Sequence, residues 1–213
     1  MENDLGDRGM ATQLRKTDAG RRPYRLTADQ LERMLEAGII PAGDDLELIG
    51  GVLYKMVKKE PHNFAVGQVA EALRRLLPTC FHVREEKSLR QGKRNLPEPD
   101  VVVAVGRSGD YRPQPPSTSE VPLIVEVCHH TQKADFQDKY QRYAAARVPV
   151  YWILDLHHRG VEVFTGPVGQ GAMASYSPSV SYPEGGTVPV LLLGKQIGVI
   201  HVADLMPPSA STS

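Results

Sequence analysis

The chain has 213 residues, with 25 Lys plus Arg against 25 Asp plus Glu and a formal net charge of zero. That length suits one large domain with a real core, and the neutral balance argues against a protein that holds nucleic acid by overall charge. The two cysteines, Cys80 and Cys128, suggest neither a disulfide framework nor a thiolate zinc site, and no run approaches the ~18 apolar residues of a membrane span, so a soluble cytoplasmic protein is expected.

Residues 1–22 are polar and charged without periodicity and read as a disordered leader. A short helix is predicted over Thr27 to Ala37. Thr27 serves as N-cap, Gln30 stands three residues on as in a capping box, and Leu26 and Leu31 are placed as a hydrophobic staple. Asp45 to Val57 reads as a β-hairpin turned by Gly50-Gly51. A helix from about His62 to Leu77 follows Pro61, with Val66, Val69, Ala70, Leu73, Leu76 and Leu77 along one face. Phe81 to Leu89 and Leu96 to Val105 are predicted strands, the second entered through two prolines with Asp100 at its start. A Gly-, Pro- and Ser-rich loop, Gly106 to Glu120, precedes the centre of the chain.

That centre runs from Val121 to Asp155 and reads as strand, helix, strand. About 35 residues is the size of a crossover unit that makes two strands parallel. Gly160 to Thr165 gives another strand. Gly166 to Gly186 is a Gly/Pro/Ser-rich excursion, Val188 to Leu193 and Val199 to Leu205 are short apolar pieces, and Pro207 to Ser213 is a tail. The expected architecture is a single α/β domain over 23–206, a central mixed sheet flanked by helices, with an N-terminal helix and β-hairpin.

Glu126 interrupts the β-branched run Leu123 to Val127. A strand buried on both faces has no cheap place for a charge. Consecutive strands neighbour each other about two-thirds of the time, so Asp100 and Glu126 are expected on adjacent strand ends. Two such carboxylates repel unless a divalent cation joins them, and hard oxygens suit Mg²⁺, with the Val127 carbonyl as a third donor. At about 100° per residue, Asp135, Lys139 and Tyr143 share one side of the following helix. Lys139 then sits at the edge of the buried face and reaches back toward Glu126, where an ammonium would stabilise developing phosphorane-like charge.

Each residue also has a plainer reading. Asp100 would bond local backbone, and Glu126 would pair with Lys139 or Arg142 in a structural salt bridge. Glu47 reads as a solvent-face strand residue, and His62 as the opener of its helix. His129 and His130 directly follow a strand and read as loop residues, with a transition-metal site formed by one of them and Asp100 or Glu126 as the sharper alternative. A Cys128–His129 dyad is disfavoured, because adjacent strand side chains point to opposite faces. Tyr140, Tyr143, Tyr151 and Trp152 look like core. Two basic clusters, Lys55/Lys58/Lys59 and Arg84/Lys87/Arg90/Lys93/Arg94, are candidates for a phosphate backbone or plain solvated surface.

Pro99-Asp100 followed by Glu126-Val127 resembles the PD-(D/E)XK nuclease superfamily. ELIGGVLYKM at Glu47 to Met56, PHNFAVGQVAEALRRLL, and the DxxxKxxxY of Asp135 to Tyr143 before VPVYWILD resemble its Uma-type restriction endonuclease branch, from about Leu26 to Leu205. The resemblance implies a restriction-endonuclease-like core and Mg²⁺-dependent hydrolysis of DNA phosphodiesters, with Mn²⁺ as a substitute. Asp100 and Glu126 would hold the metal, and Lys139 would complete the catalytic set. Glu47 and His62 become accessory candidates, and a homodimer would cut both strands. Where the superfamily places its lysine, two residues after the acid, this chain has Cys128, and the turn after Glu126 is one residue shorter than usual. Those departures and the zero net charge motivate an alternative, a catalytically inactive member of the fold that binds nucleic acid or a protein partner.

Overall fold

The structure, a computed structural model, describes residues 22–41, 44, 46–55, 60–128 and 133–208, with backbone only for 133–136. Most of the leader, the end of the tail, Asp45 and Lys58, Lys59, His129 and His130 lie outside the described residues, as do the side chains of Asp135 and Phe136.

Helix α1 spans Ala28–Glu36. Its capping box closes as the sequence implies: Gln30 N–H donates to Thr27 Oγ1 at 3.2 Å, and Thr27 N–H donates to Gln30 Oε1 at 2.9 Å. Strands β1 (Leu46–Ile49) and β2 (Val52–Lys55) form the hairpin. Both turn glycines are left-handed, Gly50 at φ +56° and Gly51 at +80°. A Cβ on Gly51 would lie 2.7 Å from the Arg25 Cβ, so this glycine also permits the close approach of the chain before α1. Helix α2 (Glu60–Leu76) starts two residues before the expected His62, with Pro61 in its first turn, where a missing N–H costs nothing.

Six strands make the central sheet in the order β3 (Phe81–Glu85), β4 (Val101–Val105), β5 (Leu123–Cys128), β6 (Val150–Asp155), β7 (Gly160–Thr165) and β8 (Val180–Pro183). Only β5 and β6 run parallel, joined by helix α3 (Lys133–Ala145); the other pairs are antiparallel. The sheet is therefore mixed, as expected. Strands β3 and β4 are shorter than the predicted runs; the Pro97 carbonyl still accepts the Leu89 N–H at 2.8 Å, but Pro97 and Pro99 have no N–H to donate to a ladder. The excursion 166–186 holds the edge strand β8, and the last apolar pieces form a separate hairpin, β9 (Thr187–Leu192) with β10 (Lys195–His201).

Alternation along β4, β5 and β6 sorts the core into two layers. Val101, Val103, Val125, Trp152 and Leu154 meet α2 and the β9–β10 hairpin. Val102, Ile124, Tyr151 and Ile153 meet Tyr143 and Ala144 of α3. A small third cluster, Ala28, Leu31, Leu48 and Leu96, fixes α1 and the first hairpin to the segment that leads into β4. Among the described residues, no helix is long and apolar enough to cross a membrane.

Candidate active site

The register of β4 against β5 pairs Val101 with Val125, which sets Asp100 opposite Glu126. Alternation puts both on the α3 side, in line with Val102 and Ile124. One row outward, Glu86 N–H donates to the Asp100 carbonyl at 3.0 Å and extends the β3–β4 ladder past its last paired strand residue. Glu47, Asp100 and Glu126 are the buried charged residues among those described, at 6%, 7% and 2% exposure. All three lie at this corner.

Glu126 is held from α3. Lys139 Nζ donates to its Oε2 at 2.8 Å, and Tyr143 Oη, one helical turn on, donates to its Oε1 at 2.7 Å. Burial pushes the Glu126 carboxyl up, to about 7, with Lys139 pulling down and Asp100 pushing further up. Burial disfavours the Lys139 ammonium, but Glu126, Asp100 and Glu47 together hold its pKa above the usual lysine value. Arg142 takes no part in this contact; it pairs with Asp138 on its own helix.

Asp100 is held from two sides. Its Oδ2 accepts the Val127 N–H at 2.7 Å, and its Oδ1 lies 3.1 Å from His62 Nε2 in the first turn of α2. The Cys128 carbonyl accepts from Leu156 on the β6 side, so the backbone groups of Val127 face the β4 side. The Val127 carbonyl therefore shares the strand edge on which Asp100 lies. Burial pulls the His62 imidazole down, but Asp100, with Asn63 and Glu86 adding to it, raises it above the ordinary value.

Two expectations need correction. Glu47 does not face solvent: its Oε1 accepts the Glu98 N–H at 3.0 Å, and its charge is felt by Lys139 and Tyr143. Its face is covered by chain that arrives some fifty positions later, which the alternation of a four-residue strand cannot reveal. His62 does more than open its helix, since it contacts Asp100 directly.

Sequence reasoning missed Glu86. One ligand atom from each of His62, Glu86 and Asp100 lies within 4.8 Å of the others, a spacing that fits one divalent cation. Glu86 sits in the run Arg84 to Lys87, which reads as solvated charge, and its left-handed backbone, φ +46°, carries no sequence signal in a non-glycine residue.

Cys128, at the superfamily's lysine position, is buried, and burial with the charges of Asp155 and Asp100 pushes its thiol up to about 12. It is no nucleophile at neutral pH. The second basic cluster is partly neutralised, since Arg90 pairs with Asp29 and Glu32; Arg84 is held over the Tyr111 ring at 5.6 Å. Buried carboxylates, an ammonium, a carbonyl edge and an imidazole at one strand end can hold a divalent cation and stabilise charge on a phosphate ester.

Residues 28–198 match the model of the Uma2 family, described as "Putative restriction endonuclease". The fold is similar to the crystal structure of a putative nuclease from Anabaena variabilis, at TM-score 0.59 and 13% identity, over 84% of this chain and 97% of that one. A comparison with curated proteins found no significant match.

Proposed function

The chain belongs to the Uma2 restriction endonuclease family, and from that membership and the geometry of the strand ends we propose that it is a Mg²⁺-dependent endonuclease hydrolysing DNA phosphodiesters. The observation that carries the reading is the fully buried Glu126 carboxylate, set opposite Asp100 and bonded by Lys139 and Tyr143 from a helix. A structural strand gains little from a buried charge, since burying the pair costs about as much as its attraction returns.

Asp100, Glu126 and the Val127 carbonyl would hold the cation, and their oxygens fit Mg²⁺ or Mn²⁺. A bound divalent cation would supply Lewis-acid polarisation of the phosphoryl group. The chain's own residues do the rest. Lys139 presents an ammonium, pre-oriented by Glu126 and fixed before substrate arrives, to the negative charge carried by the phosphoryl oxygens in the transition state. Tyr143 fixes the second Glu126 oxygen, so the carboxylate cannot rotate. The Val127 N–H fixes Asp100 in the same way. Glu47 adds negative charge that keeps Lys139 protonated. Hydrolysis adds water across one P–O bond and leaves a phosphate monoester and a hydroxyl. This reading carries a cytoplasmic location, where DNA lies, and a homodimer, because two strands need two sites.

The alternative, an inactive module binding nucleic acid or protein, draws on one observation: Lys139, Glu126 and Tyr143 satisfy one another without any ligand. Plasmid and short-duplex cleavage with Mg²⁺, Mn²⁺ or EDTA separates the two. Cation-dependent cleavage lost in Glu126→Gln supports the nuclease. Duplex binding without cleavage under any cation supports the module.

A further inference from the structure

We propose that His62, Glu86 and Asp100 form a second divalent-cation site, on the side of Asp100 away from Glu126, selective for imidazole-accepting cations such as Mn²⁺, Co²⁺ or Zn²⁺ over Mg²⁺.

The three ligand atoms lie within 4.8 Å of one another. Donors about 2.0–2.2 Å from a shared centre are separated by no more than about 4.4 Å, so only a small inward adjustment completes the set. The residues come from three elements: the first turn of α2, the position after β3 and the position before β4. No local turn explains their meeting. The Glu86 N–H bond to the Asp100 carbonyl, 3.0 Å, fixes the backbones of the two acids relative to each other. The 3.1 Å contact of His62 Nε2 with Asp100 Oδ1 fixes the imidazole against the second acid.

Asp100 divides its oxygens between the two sides. Oδ2 faces β5 through the Val127 N–H, whereas Oδ1 faces His62. One aspartate can thus serve both centres through different atoms. A cleft of about 410 Å³ has Glu86 in its walls, together with Glu98, Arg84 and Tyr111. Two carboxylates and one neutral imidazole match a single divalent charge. The donor chemistry sets the selectivity. Mg²⁺ keeps oxygen and water ligands, whereas imidazole suits Mn²⁺, Co²⁺ and Zn²⁺. The all-oxygen set of Asp100, Glu126 and Val127 has no such preference.

The site goes beyond the nuclease reading and is tested without DNA. The full chain is titrated with Mn²⁺ by electron paramagnetic resonance and calorimetry, and nitrogen coupling to bound Mn²⁺ is read by electron spin echo modulation. One more equivalent is expected in the parent than in His62→Ala or Glu86→Gln, or an affinity at least tenfold tighter for that equivalent. Nitrogen coupling is expected in the parent and in Glu126→Gln, and is lost in His62→Ala. Parent protein without nitrogen coupling overturns the site even if every variant fails to fold, and so does coupling that survives His62→Ala. Cleavage without nitrogen coupling removes this site and keeps the nuclease; coupling without cleavage does the reverse.

Discussion

Strands β5 and β6 lie side by side and parallel; β6 ends in an acid, β5 carries one two residues before its end, and each acid has basic neighbours. At the end of β6, Asp155 Oδ1 accepts the N–H groups of His157 and His158, and Oδ2 meets His158 Nδ1 at 2.7 Å. Every partner lies within three residues, the His158 side chain is two-thirds exposed, and the whole is a turn that caps itself. On β5, Glu126 is 2% exposed, and its partners stand 13 and 17 residues away on a helix. A local turn needs only its own sequence to form. A buried carboxylate with distant partners needs the whole fold to hold it, and its desolvation is offset only while every partner is present. The first arrangement ends a strand. The second stores charge at a fixed place, which is what phosphodiester chemistry needs.

Breaking the second corner gives the largest effects. Glu126→Gln keeps shape and removes charge, so cation-dependent cleavage should fall by about a thousandfold, read in single-turnover assays. It also leaves the Lys139 ammonium buried without its closest counter-charge, at a cost of up to about 3–5 kcal/mol in urea unfolding. The double variant Glu126→Gln/Lys139→Met removes that orphan charge. It should regain much of the stability and none of the cleavage; a double variant as unstable as the single one would show that the pair is not coupled as the geometry implies. Lys139→Met alone should lose cleavage by roughly 10²–10³-fold while Mn²⁺ still binds. Tyr143→Phe deletes one charge-assisted hydrogen bond, about 1.5–3 kcal/mol of stability, and should slow cleavage only severalfold.

Much of this corner could be read in advance because it rests on periodicity. An acid in a β-branched run announces an exception, and helical spacing puts Lys139 and Tyr143 one turn apart on the face that returns to it. What stayed hidden depends on covering layers. Glu47 looks half-exposed in Leu46 to Ile49 until the segment around Glu98 closes over it. Tyr143 reads as core, and it is, but nothing in its spacing says that its hydroxyl finds Glu126. Glu86 reads as solvated charge, because only the continued β3–β4 ladder and a left-handed backbone bring it beside Asp100. The edge strand β8 is masked by the Gly, Pro and Ser around it, and its Val180 is exposed, so no alternation of burial marks it.

The smallest effect tests the other corner. Burial works against the Asp155 carboxylate, but the His158 ring and the two N–H groups outweigh it and hold Asp155 below the usual value of 3.8. A carboxyl depressed in the folded state contributes stability above its unfolded value and loses it as pH falls through the folded one. Asp155→Asn keeps an acceptor for the two N–H groups and gives up only the charge. It should cost no more than about 1 kcal/mol at pH 6, as exposed pairs do. That deficit should shrink at an acid pH well below 3.8, where the parent's own carboxyl loses its charge as pH falls through its depressed folded value. Urea midpoints of both proteins at the two pH values measure this directly. Cleavage should match the parent, because Asp155 touches no part of the Asp100–Glu126–Lys139 set among the described contacts. A variant that folds normally yet loses cleavage as Glu126→Gln does would mean that the two strand ends form one site, and the contrast between a self-capping turn and a fold-built charge would fall with it.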